Sequence, residues 1–575
     1  MKFFPKSKPL NFKIKKGMVI NMKKTLSVIL TAVMLVSLLA VAIPVSATDA
    51  EIGDVAVGYV PDTAASKIST ADEFAAMNAD GNYYLAADID LSSLATPYYN
   101  GCFKGTFDGC GHTIKLAGYT AFRSTTTATI KNLKITGTVN TPVIGLQILG
   151  DPGNDYALGA VTQMTKGGTF ENILCSADIT YEGTDSFPVG AVFGTNYGGN
   201  VTITNCKNTG DIKAPGVCAG IASYVTKDSH TDIIDITGCI NTGSIESTAG
   251  YAGGIIGRGR AVNNIDNCIN TGNVTASKEH AAGIVAYHYG FAAGSNLTVT
   301  NCANSGVITG KGPSRASGIV GCVDGGNNSN TITIEHCYNS GKASNTEDNA
   351  NVAGILAFNN RSQGKLIIKY CVNAGELEGL SSVAGICART KANDITLEYN
   401  VNAGTITGPE NGVFGILYAD TADGFTFNVK ENYYLAGVPA SNNASVIANA
   451  VSADQLASGE VAYKLNTSNG SDVFYQTIGT DSAPVLDNTH GTVYYISGTY
   501  TNDPNYTSGT ETTEPVTTEP ETTDSDKSSA TGDNSWIFVA IAVLSILSEH
   551  YQEQNKSGLS TVCPDRKFIW LLPCT

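Results

Sequence analysis

A right-handed parallel β-helix of roughly ten coils is the fold class that the sequence predicts, and three observations predict it. Two unrelated phrases recur along the middle of the chain with a shared, variable period. The stretches between them alternate apolar and polar residues, as half-buried strands do. Gly is 62 of 575 residues, about one and a half times the usual share, while charged residues are only 15%. That composition suits turns and excludes a coiled coil. A chain of this length also exceeds what one compact core can hold, so several domains or a stacked repeat are expected.

The first segment stands outside the fold. Lys23 and Lys24 follow Met22, an apolar run extends from Leu26 to Ile43, and Val45-Ser46-Ala47 closes it. A basic start, an apolar stretch and a small-residue cut site read as a secretory signal peptide over 1–47, with Met22 as the true start. Residues 1–47 hold eight Lys and no acid, so the remainder carries −24. That balance argues against nucleic acid, which calls for a basic face. Residues 48–120 are expected to form an N-terminal cap that leads into the β-helix.

The repeats occupy 121–440. The first phrase is Cys-x-Asn-(Thr/Ser/Ala)-Gly, at Cys206–Gly210, Cys239–Gly243, Cys268–Gly272, Cys302–Gly306, Cys337–Gly341 and Cys371–Gly375. A seventh copy, Asn400-Val-Asn402-Ala-Gly404, has lost the Cys, and the steps between copies are 33, 29, 34, 35, 34 and 29 residues. The second phrase is a small residue, Gly and an aliphatic. It stands at Ala219-Gly220-Ile221, Gly253-Gly254-Ile255, Ala282-Gly283-Ile284, Ser317-Gly318-Ile319, Ala353-Gly354-Ile355, Ala384-Gly385-Ile386 and Phe414-Gly415-Ile416, with weaker forms at Gly159 and Gly190. Val201–Thr204, Ile332–Glu335 and Ile395–Glu398 alternate as strands, and the Asn-Thr-Gly elements are turns, because Gly tolerates positive φ and Asn bonds its own backbone. Two or three short strands per repeat are expected. Equivalent residues then stack about 4.8 Å apart, which gives one ladder of Cys and one of Asn, the Asn bonding side chain to side chain as polar ladders do.

Three further strings carry a resemblance. They are Lys67-Ile-Ser-Thr-Ala-Asp-Glu-Phe74, Asn82-Tyr-Tyr-Leu-Ala-Ala-Asp-Ile-Asp-Leu91 and Phe103-Lys-Gly-Thr-Phe-Asp-Gly-Cys-Gly-His-Thr-Ile114. With the repeats, and with Ser458–Asn466 and Tyr475–Leu486 after them, they make residues 65–495 resemble GLUG-type and related β-helical surface proteins of Gram-positive gut bacteria. The resemblance implies the architecture and a surface location, and no particular activity. Cys110 departs from it, standing where such proteins carry Asn. Residues 441–505 are expected to close the solenoid as a β-rich cap.

The tail falls into three parts. Residues 506–533 repeat Thr-Thr-Glu-Pro, cannot bury a core, and read as a disordered stalk. Residues 534–548 include the apolar run Trp536–Leu547 after Thr531-Gly-Asp-Asn534 and resemble a wall-sorting or membrane anchor. The run is shorter than the roughly 20 residues that span a bilayer, and Ser529-Ala530 replaces the Leu-Pro of a sorting signal. Residues 549–575 form an atypical tail that reads as a shifted frame.

Little in the sequence points to catalysis. No C-x-x-C, P-loop, G-x-S-x-G or H-E-x-x-H occurs, so no metal, cofactor or catalytic residue is assigned. The ladder Cys read as small buried filler, because side chains stacked in parallel suit a disulfide poorly. Cys102 and Cys110 are the best disulfide candidates. Asp108, His112 and Asp324 are acid–base candidates without a repeating partner. His230, His280, His288 and His336 read as surface-loop residues, with His280 and His288 able to face one side. Tyr224, Tyr287, Tyr289 and Phe291 are the most suggestive residues for binding, since aromatic faces stack on sugar rings. The leading expectation is an exported, cell-surface adhesin or glycan-binding protein without catalysis, attached to the cell envelope by its C-terminal segment. The alternatives are a carbohydrate-active β-helix lyase or hydrolase, and a passive spacer. The sequence locates no binding site and fixes no oligomeric state.

Overall fold

The structure is a computed structural model that describes residues 51–507, apart from 95–97, 145–155, 226–231, 291, 326–329, 362–363 and 421–424. The signal peptide, most of the stalk, the anchor-like run and the tail lie outside the described residues. Between Ser66 and Val451 the chain winds as an all-β parallel solenoid, its strands pairing in parallel with the equivalent strands of the next turn, apart from one antiparallel pairing of Val143–Ile144 with Tyr156–Ala157. Parallel pairing thus begins and ends outside the expected range of 121–440. About eight turns carry the regular pattern, fewer than the roughly ten expected. Before Asn208 the rungs are irregular, with long continuous strands at Phe122–Val139 and Thr162–Cys175.

One regular turn holds five strands, where two or three were expected. They are Ile256–Gly259, Val262–Asp266, Ile269–Asn270, Val274–Ala276 and Ala281–Ala282. Two of these span only two residues, too short to show alternation in sequence. Inward aliphatics stack in register: Ile203, Ile236, Ile265, Val299, Ile334, Ile368 and Leu397 form one buried column. The Ile of each Gly-Ile phrase forms another.

The Asn ladder is continuous. Asn208 Nδ2 donates to Asn241 Oδ1 at 2.8 Å, and the same bond runs on through Asn270, Asn304, Asn339, Asn373 and Asn402 at 2.7–2.8 Å. Each Nδ2 gives its second hydrogen to the carbonyl of the Gly two residues on, at 2.8–3.2 Å. The ladder starts where Cys175 occupies the rung below, which leaves Asn208 Oδ1 without a donor.

The same ladder joins the two phrases. A Cβ at Gly254, Gly283, Gly318, Gly354 or Gly385 would overlap the ladder Asn of the following phrase. The Gly of one phrase therefore makes room for the Asn of the other, and any change of period moves both together.

The Cys column works beside it. Cys302 Sγ lies 3.1 Å from the Thr300 carbonyl and 3.8 Å from the Ile265 carbonyl, and Cys371 repeats this with Lys369 and Ile334. Where the Cys is lost, Asn400 and Asn432 take over, donating at 2.8 Å to Ile368 and Leu397 carbonyls. All twelve Cys of the described residues are free thiols, Cys102 and Cys110 included. Burial pushes the ladder thiols Cys239, Cys268 and Cys302 well above the usual thiol range.

Both ends are closed by aromatics and helices. At the first turns Phe74, on the short helix Ala71–Ala75, meets Phe107 and Phe122 edge to face. Residues 441–505, expected as a β-rich cap, carry two helices, Ala453–Ala457 and Glu460–Asn469, and a hairpin at Tyr494–Thr501. Leu456, Val461, Leu465 and Phe474 pack on Val372, Val401 and Tyr433, so this segment lies along the side of the last turns.

Two outcomes follow. Asn304→Ala strips a donor from Asn339 Oδ1 and an acceptor from Asn270, at about 1–3 kcal/mol for each buried group left unpaired. Urea unfolding is expected to show that loss for Asn304→Ala, and a smaller one for Asn402→Ala at the ladder's end. The ladder thiols are expected to resist an aromatic disulfide reagent in native protein and to react at once in denaturant; fast native reaction of all fourteen Cys would contradict the buried column.

Candidate functional site

Walls such as Val262–Asp266 and Thr331–Glu335 alternate buried and partly exposed residues. The wall that follows each Gly-Ile phrase is buried on both faces, as in Val320–Asp324 and Leu356–Asn359. One face meets the main core. The other meets the strand that precedes the same Gly, so the wall folds into a concave corner. Ala353, Ala357, Ala384, Ala388 and Phe414 pack across that corner as a cluster separate from the core. Small residues permit the close approach: a Cβ at Gly321 would crowd the Ala286 carbonyl.

At the middle turns large side chains fill the corner. One register column runs Tyr224, Arg258, Tyr287, Cys322 and Phe358. Across the corner, Tyr251, His280 and Arg315 form the facing column. The columns touch: Tyr251 stacks on Tyr287 with centroids 4.7 Å apart and planes 3° from parallel, and His280 sits 5.2 Å from Tyr251. Tyr287 stacks in turn on Tyr289 at 5.6 Å.

Arg258 stands among four phenol rings. Its guanidinium carbon lies 4.9 Å from the ring centre of Tyr224, 5.5 Å from Tyr287 and Tyr289, and 5.8 Å from Tyr251. Two turns on, the Arg315 guanidinium lies 4.7 Å from the Phe358 ring. Such stacking uses the faces of a guanidinium and leaves its edge of N–H donors unspent. Among the described residues neither arginine meets a carboxylate within 4.0 Å, and the Nε of each is shielded from solvent with no hydrogen-bond partner. Arg389, by contrast, is paired with Asp420 at 3.0 Å.

Glu279 is the acid that feels these cations. Burial raises its carboxyl pKa, and Arg315 and Arg258 oppose the rise. His280 is buried with Nδ1 unpartnered, and burial with the Arg315 charge holds its pKa well below the usual imidazole range, so it is neutral at pH 7. Burial raises the Tyr251 phenol to about 12.

The sequence candidates divide. Tyr224, Tyr287 and Tyr289 come together here, but Tyr224 and Tyr287 are buried in the corner and Tyr289 is partly exposed, so they are not free surface aromatics. Tyr251, Arg258, Arg260 and Arg315 were not singled out; each occurs in only one repeat, and the one available signal was a pair of arginines in Gly257-Arg-Gly-Arg260. His280 and His288 are both buried and not on the surface, His288 within the strand Val285–Tyr289 and His280 just before the strand Ala281–Ala282. They do not meet: His288 Nδ1 accepts from Asn263 Nδ2 at 2.8 Å and its Nε2 reaches the Ser295 carbonyl at 3.2 Å, with its pKa held down to about 3 by burial. His336 stacks on Tyr370 at 4.7 Å. Asp108 is buried against Tyr59 and Asn132, whereas His112 pairs with Asp88 at 3.2 Å, so that couple separates. The Asp324 backbone carbonyl accepts two bonds from buried Arg361, at 3.1 and 3.2 Å. His230 and Phe291 lie outside the described residues. Among the described residues no three His, Cys, Asp or Glu gather as a metal site.

No family model matches the chain, and no curated protein does. Among solved structures it is similar to a putative immunoglobulin A1 protease from Bacteroides ovatus, at 16% identity over 74% of this chain and 93% of that one, with a TM-score of 0.29. The chemistry of the corner therefore rests on its own residues.

Glu279 gives a pH-dependent outcome. Its folded pKa lies above its unfolded value, so ionisation opposes folding as pH rises through the folded value. Glu279→Gln is expected to raise the unfolding midpoint at pH 7, by less than about 1 kcal/mol for a half-exposed group. The gain should vanish below pH ~4, where both states are protonated. An equal gain at both pH values would contradict the shift.

Proposed function

We propose that the protein is exported, stands on the cell surface and binds glycans along the concave corner. The observation that carries this reading is the ring stack in which Tyr251 and Tyr289, both partly exposed, flank the buried Tyr287. Phenol rings offer an apolar flank and a hydroxyl edge, which match the two sides of a pyranose. A solenoid holds them at fixed spacing, so little ordering entropy is lost on binding. The leader-like segment 1–47 and the Thr/Glu/Pro-rich segment 506–533 support export and display away from the envelope.

One observation favours a carbohydrate-active enzyme as the second reading. Glu279, with its raised pKa, lies close enough to feel Arg258 and Arg315, and His280 borders the same rings. A carboxyl tuned upward beside cations is the kind of group that acid–base catalysis uses.

The purified full chain, incubated with mucin, plant and host glycans, separates the readings. Retention on one glycan class without soluble products, lost about tenfold or more in Tyr287→Ala, is the expected result. New oligosaccharides in the mass spectrum would move the assignment to the enzyme, with Glu279→Gln abolishing them. Neither retention nor products would leave a spacer.

A further inference from the structure

We propose that the corner selects anionic polysaccharides, held lengthwise by Arg258 and Arg315. This deepens the glycan-binding reading and rests on it.

Three observations carry the inference. Arg258 and Arg315 present guanidinium edges that no described residue engages, although the Nε of each is closed off from solvent. The terminal N–H groups of each have no protein acceptor among the described residues and are the donors that a ligand oxygen can engage. Four phenol rings crowd the Arg258 guanidinium, which restricts its fork, and a fork suits the planar, bidentate geometry of a carboxylate or the oxygens of a sulfate. The third observation is charge. The chain carries a formal −16, yet these two cations lack carboxylate partners within ion-pair distance among the described residues, while Arg389 beside them has one. An acidic protein that leaves two half-buried cations without a direct ion pair in one corner presents a local attraction for anions and repels them elsewhere.

The spacing indicates a chain and not a single acid. Arg258 shares its register with Tyr287 and then Cys322, and Arg315 belongs to the turn of Cys322. Two turns separate the arginines, about 9.5 Å along the axis. One carboxylate cannot reach both. A linear glycan lying along the corner can, with sugar rings against the partly exposed Tyr251 and Tyr289 and an acid at either end of that span.

The test is calorimetry on the full chain. The acidic probes are oligogalacturonate, hyaluronate and chondroitin sulfate oligosaccharides. The controls are carboxyl-reduced oligogalacturonate and monomeric galacturonate. Binding of at least one acidic oligosaccharide is expected, weakened by salt, absent for its neutral or monomeric counterpart, and reduced about tenfold or more by Arg258→Gln and by Arg315→Gln. Arg258→Lys should restore little, since it keeps the charge and loses the fork. Unfolding midpoints of the variants report whether a loss is merely structural. Equal binding of the carboxyl-reduced form would overturn the anion preference and leave glycan binding standing. Acidic binding unchanged in both arginine variants would overturn the assignment to this corner. No binding of any acidic or neutral oligosaccharide would overturn the glycan reading itself.

Discussion

Seven asparagine side chains, one per turn, run through the protein interior as an unbroken hydrogen-bonded file. Each amide from Asn208 to Asn373 spends both hydrogens, one on the next rung and one on its own turn, and nearly every group in the file is satisfied. A polar file of this kind sets register more sharply than an aliphatic stack can. Sliding one turn past another would orphan a row of buried amides at once, and each orphan is expensive. The corner glycines follow from the file, because the amide occupies the volume where a Cβ would stand. The tight Asn-x-Gly turn follows as well, since its carbonyl is the second acceptor. The aliphatic columns supply burial, and the amide file decides which residues are buried together.

The cysteines answer a related demand at lower strength. A thiol is a weak donor and a small apolar body. It fills the volume beside the file and leans on a carbonyl of the previous turn. Asn400 and Asn432 show that this carbonyl is the point of the position, for they reach the equivalent oxygens with full amide bonds. The last turns, flanked by the helical segment at 453–469, carry the stronger donor.

How much of this was legible in the sequence depended on whether a feature repeats. Asn241, Gly254 and Ile255 recur in every regular turn, so their spacing exposed the solenoid and the ladders. The irregular early turns were hidden because they lack the phrase: Phe107 and Phe122 hold them through ring packing, and ring packing has no period. The helices after Ser452 were hidden because their partners, Val372 and Val401, look like ordinary strand residues until the chain folds back on them. The corner was hidden for a different reason. Its walls are spelled by single residues from successive repeats, Tyr224, Arg258, Tyr287, Cys322 and Phe358, which share a column and share nothing in type. The Tyr cluster was visible, and the arginines that define its chemistry were not.

That contrast orders the molecule. Columns that keep one residue type are those whose side chains meet their own copies above and below, where a change in one rung injures two neighbours. The corner column changes type at every rung, from phenol to guanidinium to phenol to thiol to phenyl. Backbone pairing is indifferent to those changes, so the fold places no demand on them. Identical scaffolding with non-identical display is the arrangement that lets one rigid wall present a specific pattern of charge and ring faces. Arg258 shows the limit of a purely structural account: stacking explains why its faces are covered, and nothing in the fold explains why its donors are left unspent.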